Sequence, residues 1–423
     1  MVYTRIIALV LWLAACSEPA ARGAQEIPVS LGEGVEAIVT VHSAQGSRLV
    51  IWLPSEHGFP SYHANVAAKL AGQGIETWQA DLFSAYFLPV QPSSIDAVPP
   101  GATAALIEHA IATRKKTVYL LASGRGAVLA LRGARQWQQQ HPDNPALGGA
   151  LLLHPNLYVG TPEPGAPADY LRIASATNLP LFVLQPALSP WRWQLAELNR
   201  RLSSGGSEVY LKKLPGLRDR FHFRPDATPE ELAFAQRLPR VLASALPLLD
   251  AHARPRRAVA LKANGGDTRG TIKRAVQLRP YRGEPAPPAL ALPDLDDKAV
   301  DLAALRGQVV LVNFWASWCP PCVHEMPSMQ RLADRLAGKP FTLLAVNMAE
   351  DKATIRRFLD TKVKVDFPIL LDSDGAALKR WKVFAFPTSY VIDKNGRIRY
   401  ALFGSIDWDT PQTIAVFEKL LAE

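Results

Sequence analysis

The chain carries three cysteines in 423 residues, Cys16, Cys319 and Cys322. So few exclude a framework of structural disulfides, and a chain of this length needs none because it can bury large cores. They also leave zinc short of its usual set of about four ligands. The apolar run near the start, Ile6 to Leu13, is too short to span a bilayer, which takes about 20 residues. The net charge is +9, yet no aromatic interleaving or nucleic-acid motif accompanies it, so nucleic acid is not an expected partner. No metal and no cofactor are expected.

What is present is concentrated. Cys319 and Cys322 stand in Trp318-Cys319-Pro320-Pro321-Cys322, directly after the apolar run Val309 to Trp315. A Cys-x-x-Cys where a buried strand gives way to a helix is the layout of a redox dithiol. The first thiol sits at the helix N-terminus, where unpaired N–H groups and the dipole favour thiolate. The second, one turn on, can resolve a mixed disulfide. Half of a zinc site, or two buried thiols that happen to be neighbours, are the alternatives.

Cys16 ends a different pattern. Arg5 supplies positive charge, Ile6 to Leu13 an apolar core, and Leu13-Ala14-Ala15-Cys16 a run of small residues before a lone cysteine. This segment resembles the lipobox of bacterial lipoproteins, which implies cleavage and lipidation of Cys16. Ordinary secretion or an uncleaved anchor is the alternative. Ser17 rather than aspartate follows the cysteine, which in many two-membrane bacteria implies sorting to the outer membrane. The expected location is therefore the periplasmic face of a membrane, held by lipid.

The length predicts two or three domains, and the pattern divides near residue 250. From Arg254 to Arg282 nine basic residues face one acid, Asp267. Gly265-Gly266 and Glu284-Pro285-Ala286-Pro287-Pro288 mark residues 251–284 as a linker. Such a stretch suits anionic lipid headgroups, or a solvated arm, or a strand and helix packed on one domain.

Beyond the linker, residues 285–423 alternate strand and helix patterns. Strands are expected at Gln308 to Trp315, Phe341 to Asn347 and Phe367 to Leu371, with helices from Cys322 to about Leu336, Lys352 to Lys362 and Ala376 to Trp381. A hairpin, Thr388 to Asp393 with Ile398 to Phe403, precedes a closing helix Pro411 to Leu421. This order argues for a mixed sheet covered on both faces. Four separated motifs then match in sequence: Val312 to Cys322, Glu325-Met326-Pro327, Phe386-Pro387-Thr388 and Val391 to Gly396. They resemble the TlpA/ResA branch of membrane-tethered periplasmic thioredoxins.

That resemblance implies a thioredoxin fold and thiol-disulfide exchange, usually the reduction of extracytoplasmic clients, often apocytochromes awaiting haem, with a membrane thiol donor supplying electrons. It makes Cys319 the attacking thiolate and Cys322 the resolving thiol, the pair forming the redox disulfide. It places Trp318, Phe386, Pro387 and Thr388 at the substrate groove, Pro387 after a cis bond. Asn313 replaces the buried carboxylate of cytoplasmic thioredoxins and cannot shuttle a proton. Glu325 matches the family glutamate and is a candidate general base; an exposed helix acid is the alternative. Pro320 and Pro321 lack N–H groups, so the Cys319 thiolate is less stabilised, which leans towards a reductase.

Residues 26–250 predict another alternation, with strands at Ala37 to Val41, Arg48 to Leu53, Ile75 to Ala80, Thr117 to Leu121, Ala150 to Leu153, Leu181 to Leu184 and Val209 to Lys212, and helices at Asn65 to Ala71 and Ala127 to Gln140. The expected class is α/β, a doubly wound parallel sheet. Leu49 to Pro54 with Glu56-His57-Gly58, and Tyr119 to Ala127, resemble the oxyanion loop and nucleophile elbow of an α/β hydrolase. In the Gly-x-Ser-x-Gly register Gly124 holds the nucleophile's position and Ser123 lies one residue early. Gln185-Pro186-Ala187 offers no acid, and His222 has no nucleophile to serve. A degenerate hydrolase kept as a binding or scaffold domain is expected, with residual esterase activity as the alternative.

Overall fold

A computed structural model describes residues 23–114, 116–261 and 276–423. Cys16 and the basic residues Lys262, Arg269, Lys273 and Arg274 lie outside them.

The first sheet has eight strands: β1 (Gln25–Gly32), β2 (Val35–His42), β3 (Arg48–Trp52), β4 (Ile75–Ala80), β5 (Thr117–Ser123), β6 (Leu147–Leu153), β7 (Leu181–Leu188) and β8 (Val209–Arg218), in the order β1-β2-β4-β3-β5-β6-β7-β8. Strands β4, β3, β5, β6, β7 and β8 are parallel, and β1 and β2 join antiparallel at one edge. The central strands are unbroken apolar runs because both faces are covered; β6 is buried throughout. Helices Pro100–Arg114, Gly126–Gln140 and Leu195–Ser204 supply Leu106, Val128, Leu131 and Leu198 to one face. Tyr62–Ala71 and Pro229–Asp250 supply Val66, Leu70, Leu238 and Leu246 to the other. Strand β1 was not legible in the sequence. It is an edge strand with only Val29 and Leu31 buried, and edge strands tolerate the polar residues and Pro28 that hide the period.

The long helix starts at a capping box, Thr228 with Glu231. Glu231 is fully buried and receives Arg218 at 2.6 and 2.8 Å. This buried pair fastens the end of β8 to the helix and fixes where Asp219 and Arg220 emerge.

The second sheet has the order β14-β13-β12-β15-β16-β9, formed by β9 (Arg279–Pro280), β12 (Val309–Trp315), β13 (Phe341–Met348), β14 (Ile369–Asp372), β15 (Thr388–Ile392) and β16 (Ile398–Phe403), while β10 (Ala291–Pro293) and β11 (Ala299–Asp301) pair apart. Strands β12, β13 and β14 are parallel and β15, β16 and β9 antiparallel. This is a thioredoxin-fold sheet. Helices Pro320–Arg335, Lys352–Thr361 and Pro411–Ala422 cover one face through Met326, Met329, Leu332, Ile355, Phe417 and Leu420. The sheet takes in Arg279–Pro280 from the stretch read as linker, because β16 offers that pair an open edge. Towards the start of the basic stretch, Arg256 binds Glu208 at 2.7 Å and Arg254 binds Glu208 at 2.8 Å, so both described ends of the stretch lie against a sheet-bearing unit.

The two units touch at the short 3-10 turn Pro190–Gln194 and at Gly165, where a Cβ would run into the Tyr281 hydroxyl. Trp193 packs against the second unit's core, where Gly375, at φ 69°, leaves room that any Cβ would take from the indole. Trp191 stacks on Tyr158 at 3.8 Å and meets Phe384 at 5.6 Å.

Candidate active site

Strand β12 delivers Trp315 to the sheet end, and the chain turns into the helix Pro320–Arg335 with Cys319 as its N-cap. Cys319 and Cys322 are joined as a disulfide. Cys319 is 6% exposed and Cys322 is fully buried, so an approaching sulfur has access only to Cys319. Pro320 and Pro321 fill the first two helical positions and have no N–H; the Cys322 N–H alone of these three reaches Cys319 Sγ, at 3.3 Å. The turn before the helix is braced by Glu350, which accepts from the Ser317 N–H at 2.7 Å, from the Ser317 hydroxyl and from Asn347 Nδ2 at 2.8 Å.

Behind the pair, Cys322 and Glu325 share the buried face of the helix, three residues apart. Glu325 is fully buried, unlike an ordinary exposed helix acid. Its two oxygens accept from Asn313 Nδ2 at 2.8 Å and from Trp408 Nε1 at 3.1 Å. Burial pushes its carboxyl up to about 7, and these hydrogen bonds to the charged form hold it from going higher. Asn313 also donates to Ser389 Oγ at 2.9 Å. The amide that cannot carry a proton thus orients the carboxylate that can.

The other sequence candidates divide. Trp318 is half-buried and meets Phe386 edge-on at 5.9 Å, and the Phe386-Pro387 bond is cis. Thr388 is 2% exposed and its hydroxyl donates to the Ala385 carbonyl at 2.8 Å, so it holds the loop in shape. Trp408, Ser389, Glu350 and Asn347 were not singled out in the sequence. Trp408 lies 83 residues from the carboxylate it binds, and nothing local marks such a partner.

In the first sheet, Gly124 follows β5 at φ 54°, a conformation open to glycine. A Cβ there would stand 2.6 Å from Glu56 Oε2, and the same oxygen accepts the Arg125 N–H at 2.8 Å. Ser123 is buried with its hydroxyl unpartnered among the described residues. His222 is 2% exposed, stacks on His63 at 5.2 Å, and finds no partner for either ring nitrogen among the described residues. The histidine is buried among the rings of Tyr62, His63, Phe221 and Phe223.

The family model Redoxin matches residues 282–420. The chain is 34% identical over 119 residues to the thiol-disulfide oxidoreductase ResA of Geobacillus thermodenitrificans, spanning 28% of this chain and 68% of that protein. It is 31% identical over 119 residues to that of Bacillus subtilis, spanning 28% and 66%. Among solved structures, StoA from Bacillus subtilis aligns at 26% identity over 33% of this chain and 98% of its own, with a TM-score of 0.28. With a Cys-Pro-Pro-Cys pair at a strand-to-helix turn and 34% identity over 68% of the Geobacillus thermodenitrificans ResA, the chain belongs to the ResA-type thiol-disulfide oxidoreductases.

Proposed function

We propose that the protein is a lipid-anchored, extracytoplasmic disulfide reductase whose first domain, on residues 26–250, is a hydrolase-derived binding module joined by the 251–284 stretch to the redox domain on 285–423. The observation that carries the direction is the proline pair at the helix start, which leaves a single N–H on the Cys319 sulfur. A thiolate so sparsely stabilised is a poor leaving group, which favours the oxidised enzyme and the reduced client.

The reduced enzyme starts the cycle. Cys319 thiolate attacks one sulfur of a client disulfide, forming a mixed disulfide and expelling the client's other sulfur as thiolate. Glu325, as carboxylate, takes the proton from Cys322; the Cys322 sulfur then attacks Cys319, forming the enzyme disulfide and releasing the second client thiolate. Two electrons have passed to the client, and an external dithiol must return two to the enzyme. Trp318, Phe386 and Pro387 would border the bound client strand, with the Phe386 backbone available for pairing. Clients in the periplasm, apocytochromes among them, fit this chemistry, as does a membrane thiol donor. Cys16, outside the described residues, would carry the lipid; among the described residues no helix is long and apolar enough to cross a membrane.

The test is the in-cell state of the Cys319–Cys322 pair, by acid quench and thiol alkylation. A mostly reduced pair is expected, and a mostly oxidised one would reverse the direction. Cys319→Ser should abolish disulfide reduction by the full chain, and retained activity would remove the assignment.

The first domain reads as a binding module because the hydrolytic parts are occupied or missing. Gly124 offers no side chain, and Glu56 already takes the Arg125 N–H that an oxyanion would need.

A further inference from the structure

The loops after β3, β5, β6, β7 and β8 converge on a cavity of about 200 Å³ at the carboxyl ends of the parallel strands, where open α/β sheets bind ligands. Its lining mixes acceptors and donors. Glu56 and Asp219 supply carboxyl oxygens, Asn156 and Gln185 amides, and Arg220 a guanidinium that forms no hydrogen bond among the described residues. His154 adds a buried Nε2 with no partner among the described residues. Tyr158 and Trp191, stacked at 3.8 Å, form an aromatic wall.

This chemistry rejects several ligand classes. An acyl substrate meets neither nucleophile nor free oxyanion donor. No group of three or more His, Cys, Asp or Glu among the described residues is arranged to hold a metal. A cation would face the Arg220 guanidinium. An anion would face Glu56. A hydroxylated ring satisfies both sets, since each hydroxyl donates to a carboxylate and accepts from a guanidinium or amide, while its C–H face covers the aromatic wall. Drug-sized ligands fill about 300–1,000 Å³, so this cavity suits a single ring.

We propose that this cavity binds a neutral polyhydroxylated ring, one pyranose unit. The inference rests on the binding reading of the first domain and is independent of the redox chemistry. Its seat is one ring removed from the redox domain, since Trp191, which lines the cavity, also meets Phe384.

The test titrates the full chain with glucose and with N-acetylglucosamine, reading tryptophan fluorescence, with lysine amide and acetate as charged counter-probes. At least one pyranose should saturate the signal. Arg220→Gly and Asp219→Ala should each weaken it at least ten-fold, while the Cys319→Ser/Cys322→Ser double variant binds unchanged. Arg220 holds φ 64°, where glycine is at ease, so loss of binding in Arg220→Gly would not reflect a failed fold. No saturation by either sugar, a stronger response to a charged probe, or full binding in both variants would overturn the proposal. Turnover of p-nitrophenyl acetate that is lost in Ser123→Ala would instead overturn the binding reading beneath it.

Discussion

Two strand-to-helix turns end parallel strands in this chain, one after β5 and one after β12, and they use a carboxylate in opposite ways. After β5, Glu56 lies on the surface of the turn, hydrogen-bonded to the Arg125 N–H where a reacting oxygen would sit. After β12, Glu325 lies behind the turn, buried, and leaves Cys319 as the sulfur of the pair that a partner can reach. The same fold feature becomes a closed seat in one unit and a reactive one in the other, and what separates them is the side of the helix from which the acid approaches.

The largest effect expected within this comparison comes from Glu325→Gln. An amide cannot take the Cys322 proton, so resolution of the mixed disulfide should slow about 100-fold, and the rate's rise through pH about 7 should disappear. Stability should move the other way. Glu325 is lifted from 4.5 to about 7 in the fold, so its contribution is complete below the unfolded value and is lost as pH rises through the folded one. At pH 8 the glutamine variant should therefore be more stable than the parent by about 3 kcal/mol, and near pH 4 equal to it. Stopped-flow reduction and urea midpoints at the two pH values check both halves. An unchanged rate profile would make Glu325 as idle as Glu56 and break the contrast.

Gly124→Ser tests the closed seat. The hydroxyl would return to the nucleophile's position, but at φ 54° and against Glu56. A loss of about 1–3 kcal/mol is expected from the backbone alone, with the Glu56 carboxylate pushed aside by the new Cβ, and no ester turnover, because His222 is stacked on His63 and neither of its ring nitrogens has a partner among the described residues to orient it as a base. Measurable hydrolysis would mean that the seat is open and that the missing side chain was the whole difference.

The sequence was most legible where burial is two-sided and local. Strands such as β5 and β12 read directly, because an apolar run flanked by turn residues has few other solutions. The Cys319–Cys322 pair read directly too, since its chemistry is written in adjacent residues. Glu325 was visible through its match to the family's Glu-Met-Pro motif, but its burial was not. That depends on Trp408 and Asn313, which arrive from a late loop and a neighbouring strand. Glu56 could be assigned to the loop, yet its filling of the Gly124 seat is a matter of one side-chain direction. The meeting of Trp191 and Trp193 with the second unit had no sequence signal, because a short aromatic turn after β7 looks the same whether it covers its own sheet or another's.

The smallest effect isolates that hidden support. Trp408→Phe keeps an aromatic ring in the core and removes only the Nε1–H that binds Glu325 Oε2. A hydrogen bond to the charged form lowers a carboxyl's pKa, so its loss should raise Glu325 further, moving the midpoint of the reduction–pH profile upward by about one unit if the bond contributes about 1.5 kcal/mol. The stability cost should appear at pH 8, where the carboxylate is ionised and has lost a donor, and should shrink towards pH 5, where it is protonated. A cost that is equal at both pH values would mean that Trp408 serves the core by packing alone. The reactive turn would then depend on Asn313 as the one side chain known to orient its acid.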